Sequence, residues 1–224
     1  MNQYHKIHGL YKRYTEGEKK GKFIIGEYSR PEFELLKDIN WVWTEKVDGT
    51  NIRVQIYNNH QIGSGIWYKG KTDKAEIPKH LLEYLQIILT WDKIKKVFEL
   101  TDENPDICLY GEGYGYKIQK GGCNYFGGEK NVGFILFDIR IGNMWLKRED
   151  VGEIAMKLDI PFVPLVGRGT IDEAIKYIKS KPKSWLGNND FVMEGIVIKP
   201  KEELLDRRGH RILTKIKVKD FKEE

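Results

Sequence analysis

The chain has 224 residues, enough for one sizeable domain, and 40% of them are hydrophobic, which is enough to build a core. Its mean hydropathy is −0.54, and no apolar run approaches the roughly 20 residues of a membrane-spanning helix, so we expect no membrane partner. The N-terminus lacks the apolar segment of a signal peptide, and Cys108 and Cys123 form no metal-binding pattern; both features favour a reducing, cytoplasmic setting. The net charge of +5 favours anionic partners without identifying one.

The predicted elements mix strands and helices without a regular βαβ alternation. In chain order, strands are predicted at residues 41–45 and 52–57, two helices within 78–100 with a break near Thr90, strands at 107–111 and 132–141, helices at 148–160 and 170–180, and strands at 191–199 and 212–219. Exposed loops are expected at residues 15–22 and 117–131. This order predicts an α+β fold of largely antiparallel sheets flanked by helices, in one domain spanning residues 1–224.

Lys46 stands between the first two predicted strands, within "TEKVDGTNIR". A lysine becomes a nucleophile only when it loses its proton, and nearby cations and partial burial favour that loss. Gly49 would let the backbone approach a ligand closely, and Asp48 could bind a hydrated metal or orient the amine. Alone, a lysine at the end of a strand is more often a surface charge.

Several charged residues interrupt otherwise apolar segments further along the chain. Glu112 follows a short strand, and Glu194 lies inside an apolar run, where a carboxylate is costly unless it is paired or functional. Lys215 and Lys217 are two residues apart in a predicted strand and therefore point to one face, where phosphate is a natural ligand. Together these residues indicate phosphoryl chemistry: a lysine nucleophile, two phosphate-binding lysines, and carboxylates at Asp48, Glu112 and Glu194 around a hydrated divalent metal.

The ordered segments "EKVDGTN", "YGEGYG", "FILFDI", "EGIVIK" and "KIK" resemble motifs I, III, IIIa, IV and V of the covalent nucleotidyltransferases. That superfamily contains ATP-dependent DNA ligases, RNA ligases and mRNA capping enzymes. DNA ligases and capping enzymes typically carry arginine where this chain has Asn51, so the pattern is most similar to phage-type RNA ligases of the RNA ligase 2 group. The N-terminal "HKIHGLYKRY" also resembles the opening of RNA ligase domain proteins.

The resemblance implies an ATP-dependent RNA ligase with Mg2+ or Mn2+. Lys46 would attack the α-phosphate of ATP to form lysyl-AMP, AMP would pass to an RNA 5′-phosphate, and a 3′-hydroxyl would then seal the strand. The nucleotide-binding residues implied by position are Glu45 at the adenine edge, Asn51 at the ribose or phosphate, Glu112 at the ribose or a metal-bound water, Phe134 stacked on adenine, and Lys215 and Lys217 at the α-phosphate. The metal-site residues would be Asp48, Glu112 and Glu194, through water.

Weaker matches concern a basic segment and one arginine. "WYKGKTDK" falls where the family has a basic motif that touches phosphates or the substrate strand, which makes Lys69, Lys71 and Thr72 candidates. Arg53 could join them or could form only a structural ion pair.

The sequence ends shortly after Lys217, where most ligases continue into an OB-fold or helical domain. We therefore expect no C-terminal OB-fold, and a separate partner could replace it. RNA ends or nicks are the expected substrate. A DNA ligase, a capping-type enzyme that uses GTP, and a nucleic-acid-binding domain without catalysis are the alternatives.

Overall fold

A computed structural model describes residues 3–59, 63–101, 105–125, 131–187 and 190–221. Within these residues the chain forms a mixture of strands and helices, which confirms the predicted α+β class. The strands are β1 His8–Gly9, β2 Tyr11–Arg13, β3 Phe23–Tyr28, β4 Trp41–Lys46, β5 Thr50–Asn59, β6 Gly63–Lys69, β7 Ile107–Gly115, β8 Val132–Ile141, β9 Met144–Trp145, β10 Leu165–Gly169, β11 Gly195–Pro200 and β12 Thr214–Lys217. The helices are α1 Pro31–Leu35, α2 Lys79–Ile88, α3 Trp91–Val97, α4 Arg148–Lys157 and α5 Ile171–Lys179.

The contacts divide the chain into two compact units. Unit 1 contains residues 1–5 and 48–163, and unit 2 contains residues 6–47 and 164–224. Neither unit is one continuous segment, because the chain passes from one to the other after residues 5, 47 and 163. The expectation of one domain over residues 1–224 stays a prediction.

Unit 1 is built on a five-stranded antiparallel sheet with the order β6-β5-β7-β8-β9. In β5 the alternate residues Ile52, Val54 and Ile56 are 0–2% exposed, because they face a core that α2 and α4 complete. The strand predicted at residues 132–141 matches β8. The two helices predicted within 78–100 are also present, with a break between them near Thr90. Thr90 is the N-cap of the second helix, because its hydroxyl accepts a hydrogen bond from the Lys93 N–H.

Unit 2 is built on a second five-stranded sheet with the order β1-β12-β11-β4-β10. The β1–β12 pair is parallel and the other pairs are antiparallel. Helix α5 covers one face of this sheet, where Ile196, Ile198 and Ile216 are fully buried. A two-stranded sheet of β2 and β3 belongs to the same unit.

Six strands and one short helix of the described ranges lie outside the sequence predictions: β1, β2, β3, β6, β9, β10 and α1. Strands β3, β6 and β10 carry glycines that interrupt their apolar pattern, and α1 is only five residues long. Strand β11 also begins later than predicted, so Glu194 directly precedes it. Of the loop predicted at residues 117–131, residues 126–130 lie outside the described part of the chain. No helix in the described ranges has both the length and the apolar character needed to cross a bilayer.

Candidate active site

Lys46 is the last residue of β4 and lies beside the start of β11 in unit 2. It is paired in register with Gly195, which is paired in turn with Lys217 of β12. This register brings the two lysines to the same carboxylate. Lys46 Nζ donates to Glu194 Oε2 at 2.6 Å, and Lys217 Nζ donates to Glu194 Oε1 at 2.5 Å. The three side chains are 18–22% exposed, so the cluster is partly screened from water but remains accessible to a ligand.

The charge of Glu194 depends on this arrangement. Burial by itself raises the pKa of the Glu194 carboxyl, but the charges of Lys46 and Lys217 and their hydrogen bonds outweigh it, and the pKa lies below its usual value. Glu194 is therefore ionised at neutral pH. The sequence singled out Lys46, Glu194 and Lys217 separately, and the structure brings them together within unit 2.

Lys215 lies on the same face of β12 as Lys217, two residues before it. It is half-buried and is paired in register with Val197 of β11 and Gly9 of β1. The positive charge of Lys215 is one of the causes that lower the pKa of His8, after burial, Lys6 and Arg30. The predicted same-face placement of the two lysines is therefore present in the structure.

Glu45 lies on the opposite face of β4 from Lys46, because successive strand residues alternate. Its carboxylate is 2% exposed and accepts hydrogen bonds from the Ser184 hydroxyl and the Trp185 N–H, at 2.5 and 2.8 Å. Burial raises the pKa of Glu45, and the two hydrogen bonds only partly offset this effect. The Glu45 side chain thus holds the loop at Ser184, the Glu45 backbone N–H donates to the Pro164 carbonyl at 3.2 Å, and the expected adenine contact stays a prediction.

In unit 1, Asp48 and Gly49 form a tight connection into β5. A Cβ atom on Gly49 would lie 2.2 Å from the Gly113 carbonyl oxygen and 2.9 Å from Cγ of Glu112, so only glycine fits here. The Asp48 N–H donates to the Tyr125 hydroxyl at 2.8 Å. The glycine of the "KVDG" motif thus lets the backbone at Gly49 lie directly against the strand that carries Glu112.

Asn51 and Glu112 face each other across β5 and β7, where they form a register pair. The Asn51 Oδ1 atom is buried and has no hydrogen-bond partner among the described residues. A buried polar atom of this kind calls for a partner, and a ligand can supply one. The pair occupies one face of the unit 1 sheet.

The structure corrects the stacking role predicted for Phe134. Its ring is fully buried in the unit 1 core and lies over Gly111, where an added Cβ atom would be 2.3 Å from the ring. This is the face opposite Asn51 and Glu112. The sequence prediction followed the first aromatic residue of "FILFDI", and that residue serves the core.

Phe137, the second aromatic residue of that motif, was missed. A register shift pairs Tyr110 with Asp138 but Gly111 with Leu136, which leaves Phe137 as the extra residue of a bulge. Its half-buried ring meets the Tyr4 ring at 5.2 Å, and Tyr4 also meets Tyr110, which shares a strand face with Glu112. Because residues 134 and 137 are three apart, strand alternation places their rings on opposite faces, and this signal could have directed the sequence prediction to Phe137.

The structure also decides between the two alternatives for Arg53. The side chain is 2% exposed, Nε donates to the Gly70 carbonyl at 2.8 Å, and Nη2 pairs with Asp73 at 2.8 Å. Its role is therefore structural, and the possible phosphate or RNA contact is corrected. Lys69 is half-buried at the end of β6, with Nζ 5.2 Å from the Trp67 ring, while Lys71 and Thr72 are exposed in the loop that follows.

The carboxylates predicted to hold a metal have the right chemistry for Mg2+ or Mn2+, which prefer oxygen ligands. No three Asp, Glu, His or Cys side chains of the described ranges come together as a direct ligand set. A hydrated ion needs few direct protein ligands; water-mediated contacts of such an ion with Asp48 and Glu112 of unit 1 and with Glu194 of unit 2 stay a prediction.

Comparisons with known proteins identify the family. The family model described as RNA ligase matches residues 39–218. A mutant of Naegleria gruberi RNA ligase in the apo form aligns with a TM-score of 0.57 and 17% identity, over 83% of this chain and 51% of its own. Another mutant, with ATP and Mn, has a TM-score of 0.60 and 16% identity, over 96% and 58%. The same enzyme with PPi has a TM-score of 0.56 and 19% identity, over 84% and 52%.

The chain thus spans little more than half the length of these structures, and at such identities they show likeness of fold. A comparison with curated proteins found no match. Because the family model covers far more than half of the sequence, the chain belongs to the RNA ligase family.

Proposed function

We propose that the chain is an ATP-dependent RNA ligase that works through a covalent lysyl-AMP intermediate. The observation that carries the proposal is the cluster in unit 2, where the Lys46 amine donates to a carboxylate that Lys217 shares, at 2.6 and 2.5 Å. A semi-exposed amine held in this way has a fixed position, and Lys215 adds a second cation on the face of β12 that carries Lys217. Fixed cations and a positioned nucleophile are the main requirements of phosphoryl transfer.

In the first step, the lone pair of Lys46 Nζ attacks the α-phosphorus of ATP. The nitrogen–phosphorus bond forms as the bond to pyrophosphate breaks, and pyrophosphate carries away the bonding electrons. Because an ammonium group has no lone pair, the ion pair with Glu194 must open and the amine must lose its proton first. Lys215 and Lys217 would stabilise the negative charge that develops on the phosphate.

Unit 1 would supply the contacts that select the nucleotide. Asn51, with its unsatisfied Oδ1, and Glu112 would bind the ribose or phosphate, and we assign the stacking role to the half-buried ring of Phe137. The N. gruberi structures with ATP and Mn and with PPi support a nucleoside triphosphate and a divalent metal for this chain. When bound, the metal would neutralise phosphate charge. Asp48, Glu112 and Glu194 would orient the metal by holding its bound water.

The later steps follow from membership in the RNA ligase family. AMP would pass from Lys46 to the 5′-phosphate of an RNA end or nick, which restores the lysine. A 3′-hydroxyl would then attack that phosphate, forming the phosphodiester and releasing AMP.

The test is covalent labelling. The protein is incubated with Mg2+ and ATP labelled at the α-phosphate and is then run on a denaturing gel. We expect a labelled band for the wild type and none for Lys46→Ala or Lys46→Arg, since arginine keeps the charge but not the nucleophile. Labelled GTP and ATP in parallel distinguish capping chemistry from ligase chemistry, and nicked RNA and nicked DNA distinguish the two strand types. A labelled Lys46→Ala protein, or no label with any nucleotide, would overturn the proposal.

A further inference from the structure

A segment at the end of α5, residues 176–185, combines exposed lysines with an exposed tryptophan. Apart from the hydrogen bonds that Ser184 and Trp185 donate to Glu45, no role in the candidate active site is assigned to this segment. Trp185 is 60% exposed, which is unusual for so large an apolar side chain. Lys176, Lys179 and Lys181 are also exposed, so the segment presents an aromatic surface and positive charge together.

Trp185 is held in place from below. The backbone N–H of Trp185 and the Ser184 hydroxyl both donate to the buried carboxylate of Glu45. Two backbone hydrogen bonds of 3.0 Å join residues 182–184 to residues 191–193. The Ser184 N–H donates to the Phe191 carbonyl, and the Met193 N–H donates to the Pro182 carbonyl. These bonds fix the Trp185 backbone, and a hydrogen bond between the Trp185 and Tyr177 side chains restrains the indole, so the indole loses little conformational entropy when a planar partner stacks on it.

The three lysines interact only weakly with the rest of the described chain: Lys179 Nζ lies 5.4 Å from the Phe221 ring, and the charge of Lys176 helps to lower the pKa of Glu173. No carboxylate in the described ranges forms an ion pair with Lys176, Lys179 or Lys181, whereas the neighbouring Lys183 is paired with Asp190 at 2.9 Å. Lys176 and Lys179 lie in the last turn of α5, where positive charge also complements the helix dipole.

Lys181 needs a further explanation. It has a positive φ of 53° at the C-terminal end of α5, directly before Pro182. Glycine adopts this conformation without strain, and a residue before proline is restricted further. A lysine here keeps a positive charge at a position where the backbone would be more stable with glycine.

We propose that residues 176–185 bind single-stranded RNA, with one base stacked on Trp185 and backbone phosphates on Lys176, Lys179 and Lys181. Stacking on aromatic side chains combined with a basic track is the usual way in which proteins bind single strands. The choice of RNA rests on the proposed function, and the inference adds where a strand to be joined would lie on unit 2.

The experiment measures the affinity of labelled oligoadenylate by fluorescence anisotropy, without ATP, over a series of salt concentrations. We expect Trp185→Ala to weaken binding by about tenfold and Trp185→Phe by much less, because phenylalanine still stacks. Lys181→Gly should weaken binding and reduce the slope of log affinity against log salt by about 0.7, the value for one contact to a single strand. Lys181→Gly should also melt no lower than the wild type, which excludes loss of folding as the cause.

The matched control is Lys117→Gly in unit 1. Lys117 is also exposed and also has a positive φ, 58°, so the substitution changes charge and backbone in the same way. Oligoadenylate affinity should stay unchanged in this control. Wild-type affinity in Trp185→Ala, or equal losses in the two lysine variants, would overturn the proposal. A wild-type dimer that Trp185→Ala dissociates would also overturn it, because the occupant would then be a second copy.

Lysyl-AMP labelling of the same variants separates this inference from the proposed function. Labelling should match the wild type, because Lys46, Glu194 and Lys217 are unchanged. If the wild type binds RNA through Trp185 but cannot be labelled, the RNA surface stands and the proposed chemistry falls. If the wild type is labelled but its RNA binding does not depend on Trp185, the proposed chemistry stands and the RNA surface is overturned.

Discussion

Glu194 is one carboxylate that two lysines share, and its charge connects folding to chemistry. With both oxygens engaged, at 2.6 and 2.5 Å, the group orients Lys46 and Lys217 at once. Removing its charge would leave two partly buried ammonium groups close together, which is unfavourable for both. The same change would remove a carboxylate from the proposed metal contacts.

We therefore expect Glu194→Gln to reduce lysyl-AMP formation by at least about tenfold, the range typical for residues that orient a metal site. Glutamine keeps the shape and one acceptor oxygen, so a loss reports on charge. The measurement is the initial rate of labelling with α-labelled ATP. Ser184→Ala serves as the control, because it removes a hydrogen bond from Glu45 on the other face of β4. A wild-type rate in Glu194→Gln would contradict the assignment.

The pKa of Glu194 also predicts how stability depends on pH. Since the folded pKa lies below the usual 4.5, the ionised group contributes stability that is fully present above about pH 4.5. That contribution is lost as the pH falls through the folded value. The difference in unfolding free energy between wild type and Glu194→Gln should accordingly be largest near neutral pH and shrink below pH 4.5. Urea denaturation across this range measures it, and a constant difference would refute the ion-pair cluster.

At the residue scale, the sequence marked Lys46, Glu194 and Lys217 separately, and the structure joins them by hydrogen bonds in unit 2, whereas the aromatic residue was misassigned. Lys46, Glu194 and Lys217 are marked by charge in apolar surroundings, which a sequence displays directly. Phe134 and Phe137 are three residues apart in one apolar run, so alternation along β8 already places their rings on opposite faces, and the sequence prediction chose the wrong one. What periodicity in β8 could not reveal is the bulge at Phe137, which depends on pairing with β7 and shifts the register of the residues that follow.

At the scale of elements, three helices end in a residue with positive φ that is not glycine. Glu99 follows α3, Asp159 follows α4 and Lys181 follows α5, with φ of 48°, 51° and 53°. After α3 and α4 the chain closes with the hydrogen bonds of a Schellman motif, Leu100 N–H to the Lys95 carbonyl and Ile160 N–H to the Ala155 carbonyl. The motif favours glycine at these positions.

We expect Glu99→Gly to raise the free energy of unfolding by about 0.5–1 kcal/mol and Asp159→Gly by less, because aspartate tolerates this conformation better than glutamate. Chemical denaturation measures both. The control is Met156→Gly, at an exposed position inside α4, which should lose about 1 kcal/mol. Destabilisation by Glu99→Gly would show that the helix end does not adopt the described conformation.

The elements themselves were predictable where a pattern was long. Helix α5 was predicted closely because Thr170 and Glu173 form a capping box and apolar residues recur at helical spacing. Strand β10, "LVGRG", has two glycines in five residues and forms because it pairs with β4, a non-local interaction. Its sequence has little strand preference of its own, so the pattern could not predict it.

At the scale of the whole molecule, the chain begins in one unit and continues in the other. Tyr4 packs in unit 1, where its ring meets Tyr110, Phe137 and Trp145 at 5.1–5.6 Å and its hydroxyl donates to Asp138 at 2.5 Å. Residues 6–47 then build unit 2. Motif order could not reveal this crossing, because it depends on contacts between residues more than a hundred positions apart.

We expect Tyr4→Ala to lower the free energy of unfolding by about 3 kcal/mol and Tyr4→Phe by about 1–2 kcal/mol, since phenylalanine loses only the hydrogen bond to a carboxylate. Tryptophan emission should shift in Tyr4→Ala as Trp145 becomes more exposed. Denaturation followed by fluorescence measures both effects. Tyr14→Ala, at an exposed tyrosine of unit 2, is the control. Equal stability in wild type and Tyr4→Ala would show that the N-terminal segment does not pack against β8.

The two sheets differ in when a growing chain can complete them. In unit 1, β5 pairs with β6 and β7, and β7 with β8, so that sheet closes from neighbouring segments once residue 145 is made. In unit 2, His8 pairs with Thr214 and Lys46 with Gly195. The unit 2 sheet therefore cannot be completed until residues 195–217, which are translated much later, are available. At ordinary rates of synthesis this delay is on the order of ten seconds. On the ribosome, Lys46 emerges long before Glu194 and Lys217, so in the proposed mechanism lysyl-AMP would form only after β11 and β12 have joined β4.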